Sequence, residues 1–445
     1  MAVFHHDDNG EVLKNPGMGW VIHSDIRRDH RDPNEPDTYE NLHHVALLSR
    51  WADLEPEEGR FFWDDLDAAI EKWTALGMGL QLRISTDAMI YNHSADGAPA
   101  WLYENYAIPY QEREGYGLTM RYPDYLNPIY QQKLRAFLHA LATHMAPVSN
   151  LETVDLRGYG EWGEWHSGYI HESEALHAQA LRQIIDIWQE AFSYTTLTLS
   201  CSYEWRHDLT PPLHSPRSQD EYLYFSGFDH ALSHENISFR RDGIGGAVKI
   251  WDTRLMNDYY QQRRRRPMIC EYFGGYRGKL SEDGMRGYHV EDSVEEALML
   301  HPNYMMLMWD SVEFCEKRPD LIAWGLKRMG YRLLPCCLSL PDAAKPGECI
   351  TLSHTWQNLG CGRLCEDAIL TITLKCEEKE ISYPIRGNDF GWLSENESRT
   401  WYTPLVIPRD FSGECRIFFS LATIGGEVIS LPVANGPLAK IQVTE

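Results

Sequence analysis

The chain has 445 residues, enough for two or three domains, and its 43% hydrophobic content allows a sizeable core. A formal charge of −24 disfavours a nucleic-acid partner, because phosphates would be repelled. No apolar run reaches the roughly 18 residues of a membrane span, and the leading MAVFHHDDNGEVLKN lacks the apolar stretch of a secretory signal. The ten cysteines show no paired CxxC spacing, so no metal is expected among them. Reduced thiols in a cytoplasmic protein are the simplest account. No cofactor is implied.

Short apolar strands alternate with longer amphipathic stretches. HHDD at residues 5–8 reads as a mobile terminus. GWVIH (19–23) is a first strand and VALLSRW (45–51) a second. WDDLDAAIEKWTALG (63–77) places Leu66, Ile70, Trp73 and Leu76 at helical spacing before a terminal glycine. GLQLRIS (79–85) is a third strand, followed by a long aromatic loop over 87–127 and a helix over 128–145. TVDLRGYG (153–160) is a fourth strand, then a helix spans 173–192, and TLTLSCSY (196–203) is a fifth strand. ISFRRD (237–242) is the sixth, with AVKIWD (247–252) as a competitor. Arg263–Arg266 reads as a solvated basic segment. PMICEYF (267–273) and NYMMLMWD (303–310) complete eight strands. Such alternation predicts a parallel sheet, and eight units fit an α/β fold of the (β/α)8, or TIM, barrel type over residues 1–332. No GxGxxG follows the first strand, which disfavours an open doubly wound sheet. From about residue 333 the chain turns to short strands between Pro, Gly, Asn and Asp turns, predicting a C-terminal all-β sandwich domain over 333–445.

Barrel active sites form where the strands end. The strand ends carry Arg50, then Arg83 with Ser85 and Asp87, then Glu161 and Glu164 in GYGEWGEWHSG (158–168). They continue with Tyr203, Glu204 and Trp205, with Arg240, Arg241 and Asp242, with Glu271, and with Trp309 and Asp310. Two carboxyls on non-adjacent strands suit glycoside cleavage, where one protonates the leaving oxygen and the other attacks or activates water. Trp and Tyr suit the C–H faces of a sugar. Glu55 in LEPEEG reads as a turn feature.

This pattern resembles clan A of the glycoside hydrolases. RWADLEPEEGRFFWDDLDAAIEKWTALG is similar to the second-strand segment of β-galactosidase-like members, and GEWGEWH resembles a fourth-strand loop in which Gly-Glu-Trp carries the acid. The resemblance implies Glu164 as acid/base, with Glu161 as the alternative acid, and Glu271 as nucleophile. It implies a retaining mechanism with carboxyls about 5–5.5 Å apart. Trp309 would be a sugar platform, while Arg83 and Arg50 would hold the nucleophile charged or bind hydroxyls. His166, Trp165, Tyr203, Trp205, Arg241, Asp242 and Asp310 complete the expected substrate contacts. Many clan members place Asn before the acid, whereas here Gly163 precedes Glu164, so another group must meet the sugar 2-hydroxyl. The expected function is a retaining, exo-acting hydrolase of a small β-linked carbohydrate, by family analogy a β-galactoside. A non-catalytic carbohydrate-binding protein on a degenerate barrel is the alternative. A cation site built from Glu161, Glu164 and Asp242 is a third and weaker reading. No membrane or nucleic-acid partner is expected, and a homo-oligomer is left open.

Overall fold

A computed structural model describes residues 1–26, 41–91, 94–115, 117–203, 216, 218–246, 250–262, 266–277, 289–307 and 310–444. Eight parallel strands close into a barrel: Gly19–Asp25, His44–Arg50, Gly79–Ser85, Leu151–Leu156, Thr196–Ser200, Ile237–Ile244, Ile269–Tyr272 and Tyr304–Met306. The eighth strand closes the ring by pairing Tyr304 with Gly19. Each of the eight expected strands is present. The competitor for the sixth is not a strand: Ile250–Gln262 is a helix, and residues 247–249 lie outside the described residues.

The helices follow from caps and stripes. Asn127 accepts hydrogen bonds from the N–H groups of Ile129 and Tyr130, with Pro128 at the first turn of Pro128–Met145. That helix buries Tyr130, Leu134, Phe137, Leu141 and Met145 on one face. Ser173 caps Glu174–Ala191 by accepting from Leu176 N–H. The expected loop at 87–127 is more ordered than its sequence suggests. It holds paired strands Ala88–Tyr91 and Ser94–Asp96, a helix Ala100–Tyr106, and a hairpin of Tyr110–Gly115 with Leu118–Pro123. These strands are only three to six residues long, too short for their pattern to stand out from a loop.

The barrel interior is divided by chemistry. On one side Val21, Ala46, Leu48, Ile269, Tyr304 and Met306 form a buried apolar cluster. On the other, Gln81, Arg83, Thr153, Asp155, Thr198, Ser238, Arg240 and Glu271 are buried polar or charged groups. Period-two alternation puts Arg83, Asp155 and Arg240 on the inward face of the third, fourth and sixth strands.

After the barrel the strands turn antiparallel and form two sheets, in the manner of a β-sandwich. One sheet holds Leu333–Leu340, Cys349–Asn358 and Ser398–Val406; its fourth strand is the chain's own beginning, Ala2–His5. The first residues are thus not a mobile tail. Ala2–His5 pairs with the stretch ending at Leu340, His6 Nε2 lies 2.8 Å from Leu438 O, and Asp8 pairs with Arg332. Trp356 is fully buried and stacks on Phe419, so it is core, whereas Trp392 is 43% exposed. This region meets the N-terminal end of the barrel. A cavity of about 640 Å³ there is lined by the strand starts at His44, Gly79 and Leu151 and by Glu366 and Glu427 from the strand-rich region. The opposite end, where the strands finish, is left to the loops. No helix among the described residues is long and apolar enough to cross a membrane.

Gly325, in the helix Pro319–Arg328, faces the first strand: an added Cβ would lie 2.4 Å from Trp20 Cζ2. Trp20 is fully buried and donates to Ile322 O at 3.0 Å, so it has little room to retreat. Helix propensity would favour Ala by about 1 kcal/mol, but overpacking costs roughly 1–3 kcal/mol. Gly325→Ala is therefore expected to lower the urea midpoint at unchanged slope. An unchanged or higher midpoint would contradict this packing.

Candidate active site

The fourth strand runs into residues 157–171, whose path is fixed by two glycines. Gly160 has φ of 84°, and a Cβ on it would stand 1.8 Å from His166 O. Gly163 has φ of 67°, and its Cβ would stand 2.4 Å from Arg157 Cβ. Only glycine fits these positions, which accounts for Gly rather than Asn before Glu164. The loop closes on itself through Glu161 N–H to His166 O (3.0 Å) and Trp165 N–H to Tyr159 O (3.1 Å). It is fastened from outside by Asp87, which accepts from Gly160 N–H at 2.7 Å and from the Tyr125 hydroxyl. Burial pushes the Asp87 carboxyl up to about 7, against the opposing effect of the Tyr125 and Gly160 bonds. Arg113, from the hairpin that follows the third strand, donates to Ser167 O and Gly168 O.

At the bottom of the pocket lies a lattice of buried charge. Glu271 accepts two hydrogen bonds from Arg83, at 3.0 and 2.8 Å, and a third from Arg240. Asp155 sits beneath, 2.7 Å from Arg83 Nε and 3.2 Å from Arg240 Nε. Burial alone would raise the Asp155 carboxyl, but Arg240, Arg83 and Arg157 outweigh it and hold it below the usual value. His23 Nε2 lies 2.7 Å from Arg83 and 3.6 Å from Glu271. Burial and then Arg83 push its imidazole well below its usual value, so it is neutral and accepts from Arg83.

Glu164 faces this lattice. One carboxylate oxygen each from Glu164, Asp242 and Glu271 lie within 4.8 Å of one another. Arg157 and His166 both stand 3.5 Å from Glu164. Burial would raise the Glu164 carboxyl; the His166 hydrogen bond and the charges of Arg240 and Arg157 overcome this and hold it well below the carboxylate range. Arg157 is itself pushed down to about 9, first by burial and then by Arg83 and Arg240. Three guanidiniums thus face four carboxyls. The positive charge a cation would bring to the Glu164–Asp242–Glu271 group is already supplied by arginine.

Several sequence expectations change place. Arg50 does not reach Glu271; its guanidinium binds both oxygens of Asp53, at 2.8 and 2.6 Å, and the Asp96 carbonyl. Trp165 is no pocket wall: it is fully buried and donates to Ser226 O. Trp162 takes that role, half-buried against the apolar cluster inside the barrel and edge-on to His166. Arg241 points outward, 4.0 Å from Asp252, because it alternates with its neighbours; Arg240 and Asp242 are the inward pair. Tyr203 is buried beside His177. Asp310 faces Arg277 at the rim. Trp205 and Trp309 lie outside the described residues. Glu161 is not in the group around Glu271. Sequence reasoning missed His23, Arg157 and Trp162; it named Arg240 at a strand end but chose Arg241 for the site, although strand parity distinguishes the two.

Residues 26–172 match the Glyco_hydro_42 family model, described as β-galactosidase. That segment contains the second, third and fourth barrel strands and Glu164. The barrel thus carries a segment similar to a glycoside hydrolase family. No curated protein matches it in sequence. Among solved structures, the chain is similar to endo-glycoceramidase II from Rhodococcus sp., with 12% identity over 89% of this chain and 99% of that chain and a TM-score of 0.42. It is also similar to the β-amylase catalytic domain from Paenibacillus polymyxa, with 9% identity over 66% and 93% and a TM-score of 0.42. A β-galactosidase from the psychrophilic Marinomonas ef1 shares 10% identity over 66% of this chain and 54% of its own, with a TM-score of 0.38.

Asp155 holds two guanidiniums that both also pair with Glu271. Removing one partner of a buried charge set costs roughly 3–5 kcal/mol, so Asp155→Asn is expected to lose stability of that order in denaturant unfolding. Because the folded-state value is held below 3.8, Asp155 stabilises the fold above that pH and the contribution fades as pH falls through it. The variant should therefore show a shallower acid limb of stability against pH. An acid limb identical to that of the parent protein would refute the assignment.

Proposed function

We propose that the protein is a retaining, exo-acting enzyme on small β-linked glycosides, with Glu271 as nucleophile and Glu164 as acid/base. The observation that carries this reading is the closeness of the two carboxylates, whose oxygens lie within 4.8 Å. Retaining enzymes need about 5–5.5 Å, whereas inverting ones need about 6.5–9.5 Å to admit a water. Glu271 also has the setting of a nucleophile: it is buried, and Arg83 and Arg240 both donate to it. In the first step the Glu271 oxygen bonds the anomeric carbon as the glycosidic C–O bond breaks, and the Glu164 proton passes to the leaving oxygen. In the second, Glu164 takes a proton from water, whose oxygen displaces Glu271.

Arg157 and His166 flank the acid and stand in for the absent Asn at the sugar 2-hydroxyl. Trp162 offers the sugar an aromatic face. Arg113, in the hairpin at 110–123, braces Ser167 and Gly168 of the loop that carries Glu164, and a loop so braced would favour exo action. A β-galactoside is the preferred substrate on the strength of the family match. Ten free thiols suit a cytoplasmic setting and a soluble glycoside.

The low-lying carboxyl of Glu164 has a kinetic consequence. Little of it carries a proton at neutral pH, so the first step is slow for leaving groups that need protonation. Glycosides of acidic phenols should therefore turn over far faster than alkyl glycosides. For alkyl glycosides kcat/KM should rise as pH falls, since the protonated fraction of Glu164 grows. Equal rates for both classes would contradict the assignment. Glu271→Gln should reduce turnover of every glycoside by several orders of magnitude. Glu164→Gln should spare the first step for dinitrophenyl substrates while slowing release of the sugar. NMR of the first-formed sugar should show the β anomer, and an α product would exclude the double displacement.

A further inference from the structure

The outer helical layer carries a second constellation, remote from the carboxylates at the strand ends. The helix Phe228–Leu232 contains His230, and Ser233 after it keeps helical angles, φ −74° and ψ −16°. One further residue brings His234 onto the same face, four positions on. The helix Glu174–Ala191 packs alongside and presents Asp186. His230 Nε2 lies 2.6 Å from Asp186 Oδ1, and His234 Nε2 lies 3.7 Å from that same oxygen. The two imidazoles meet edge-on with centroids 5.0 Å apart. One ligand atom from each residue falls within 4.8 Å of the other two.

From these positions we infer a zinc-class transition-metal site formed by His230, His234 and Asp186. Zinc holds His nitrogen and carboxylate oxygen at about 2.0–2.2 Å in a tetrahedron, which sets ligand atoms roughly 3.3 Å apart. The His234 contact is already near that spacing, and the His230 contact needs to open by less than an ångström. His234 Nε2 is shielded from solvent and makes no hydrogen bond, so it has a lone pair or proton to satisfy at this point. Arg182, the nearest cation on the same helix, is held by both oxygens of Asp229 at 2.7 and 2.8 Å and stacks over Tyr224. It does not compete for Asp186. Three protein ligands leave the fourth position to water, and the half-exposed setting gives a metal access from solvent.

A bound ion would cross-link the helix that follows the catalytic fourth-strand loop to the helix that follows the fifth strand. Its effect is on stability, through binding to the folded state alone.

The test is a zinc titration of the full chain after chelator treatment, followed by calorimetry and by melting temperature. One zinc per chain should bind, and the melting temperature should climb with zinc concentration and fall back on adding EDTA. His234→Ala and His230→Ala should each weaken that binding by more than the roughly 10–100-fold that loss of an outer partner costs. Glu164→Gln, in the other carboxylate group, should bind zinc as the parent does. Cobalt substitution should give visible absorption in the parent and not in the His230→Ala, His234→Ala double variant. Unchanged stoichiometry and affinity in the double variant, or no zinc-dependent rise in melting temperature, would overturn the site. These readouts are independent of any glycoside, so they do not depend on the proposed activity.

Discussion

Everything at the mouth of this barrel rests on one buried salt-bridge lattice. Arg83 and Arg240 each touch both Asp155 and Glu271, so two cations bridge two anions across the third, fourth, sixth and seventh strands. All four side chains are 1% exposed, a setting in which an isolated charge would cost several kcal/mol. Only mutual pairing makes it tenable. Asp155 is the deeper anion and fixes the guanidiniums. Glu271 is the outer carboxylate, held in place by the same two guanidiniums. The geometry that allows the charges to be buried is also the one that fixes the position of Glu271.

The fourth-strand loop is built on a different principle. Its acid is placed by backbone rather than by charge. Gly160 and Gly163 in left-handed conformations fold residues 157–168 so tightly that a side chain at either would strike backbone or Arg157. Asp87 then ties the loop to the end of the third strand. The price of that tightness is the Asn that many clan members keep before the acid. Arg157 and His166 occupy the space beside Glu164 instead, and their positive potential explains why the carboxyl is held low. Position and proton affinity are thereby set by the same neighbours, and they pull in opposite directions for an acid.

The eight strands were legible because short apolar or alternating runs bounded by turn residues recur between wide amphipathic helices that repeat every 3.6 residues. Glu271 and Glu164 stood out in the sequence because one lies in the seventh strand and the other in the loop after the fourth. Other parts were not. Trp162 and Trp165 lie three apart in the same motif, yet one covers the barrel interior and the other is core, since the turn at Gly163 reverses their directions. No periodicity reports on such a turn. Arg50 ends an inward-facing strand, but Asp53 in the next helical turn captures it, a local competition that strand parity cannot reveal. Arg240 was recoverable from parity alone, because Asp242 shares its face.

The polar and apolar halves of the barrel interior are also a statement about substrate. A glycoside presents hydroxyls on its edges and C–H bonds on its faces. The half bearing Arg83, Arg157, Arg240 and Asp242 supplies charged hydrogen-bond partners, while Trp162 rests on the half built from Val21, Leu48 and Met306. A ligand that was uniformly polar would waste the aromatic face, and one that was uniformly apolar would strand the buried guanidiniums. On the proposed reading, a sugar ring would turn an edge toward Asp242 and a face toward Trp162, close to Glu271. On that reading the division of the interior would orient the ring before either carboxyl acts, and proximity would offset the low protonation of Glu164.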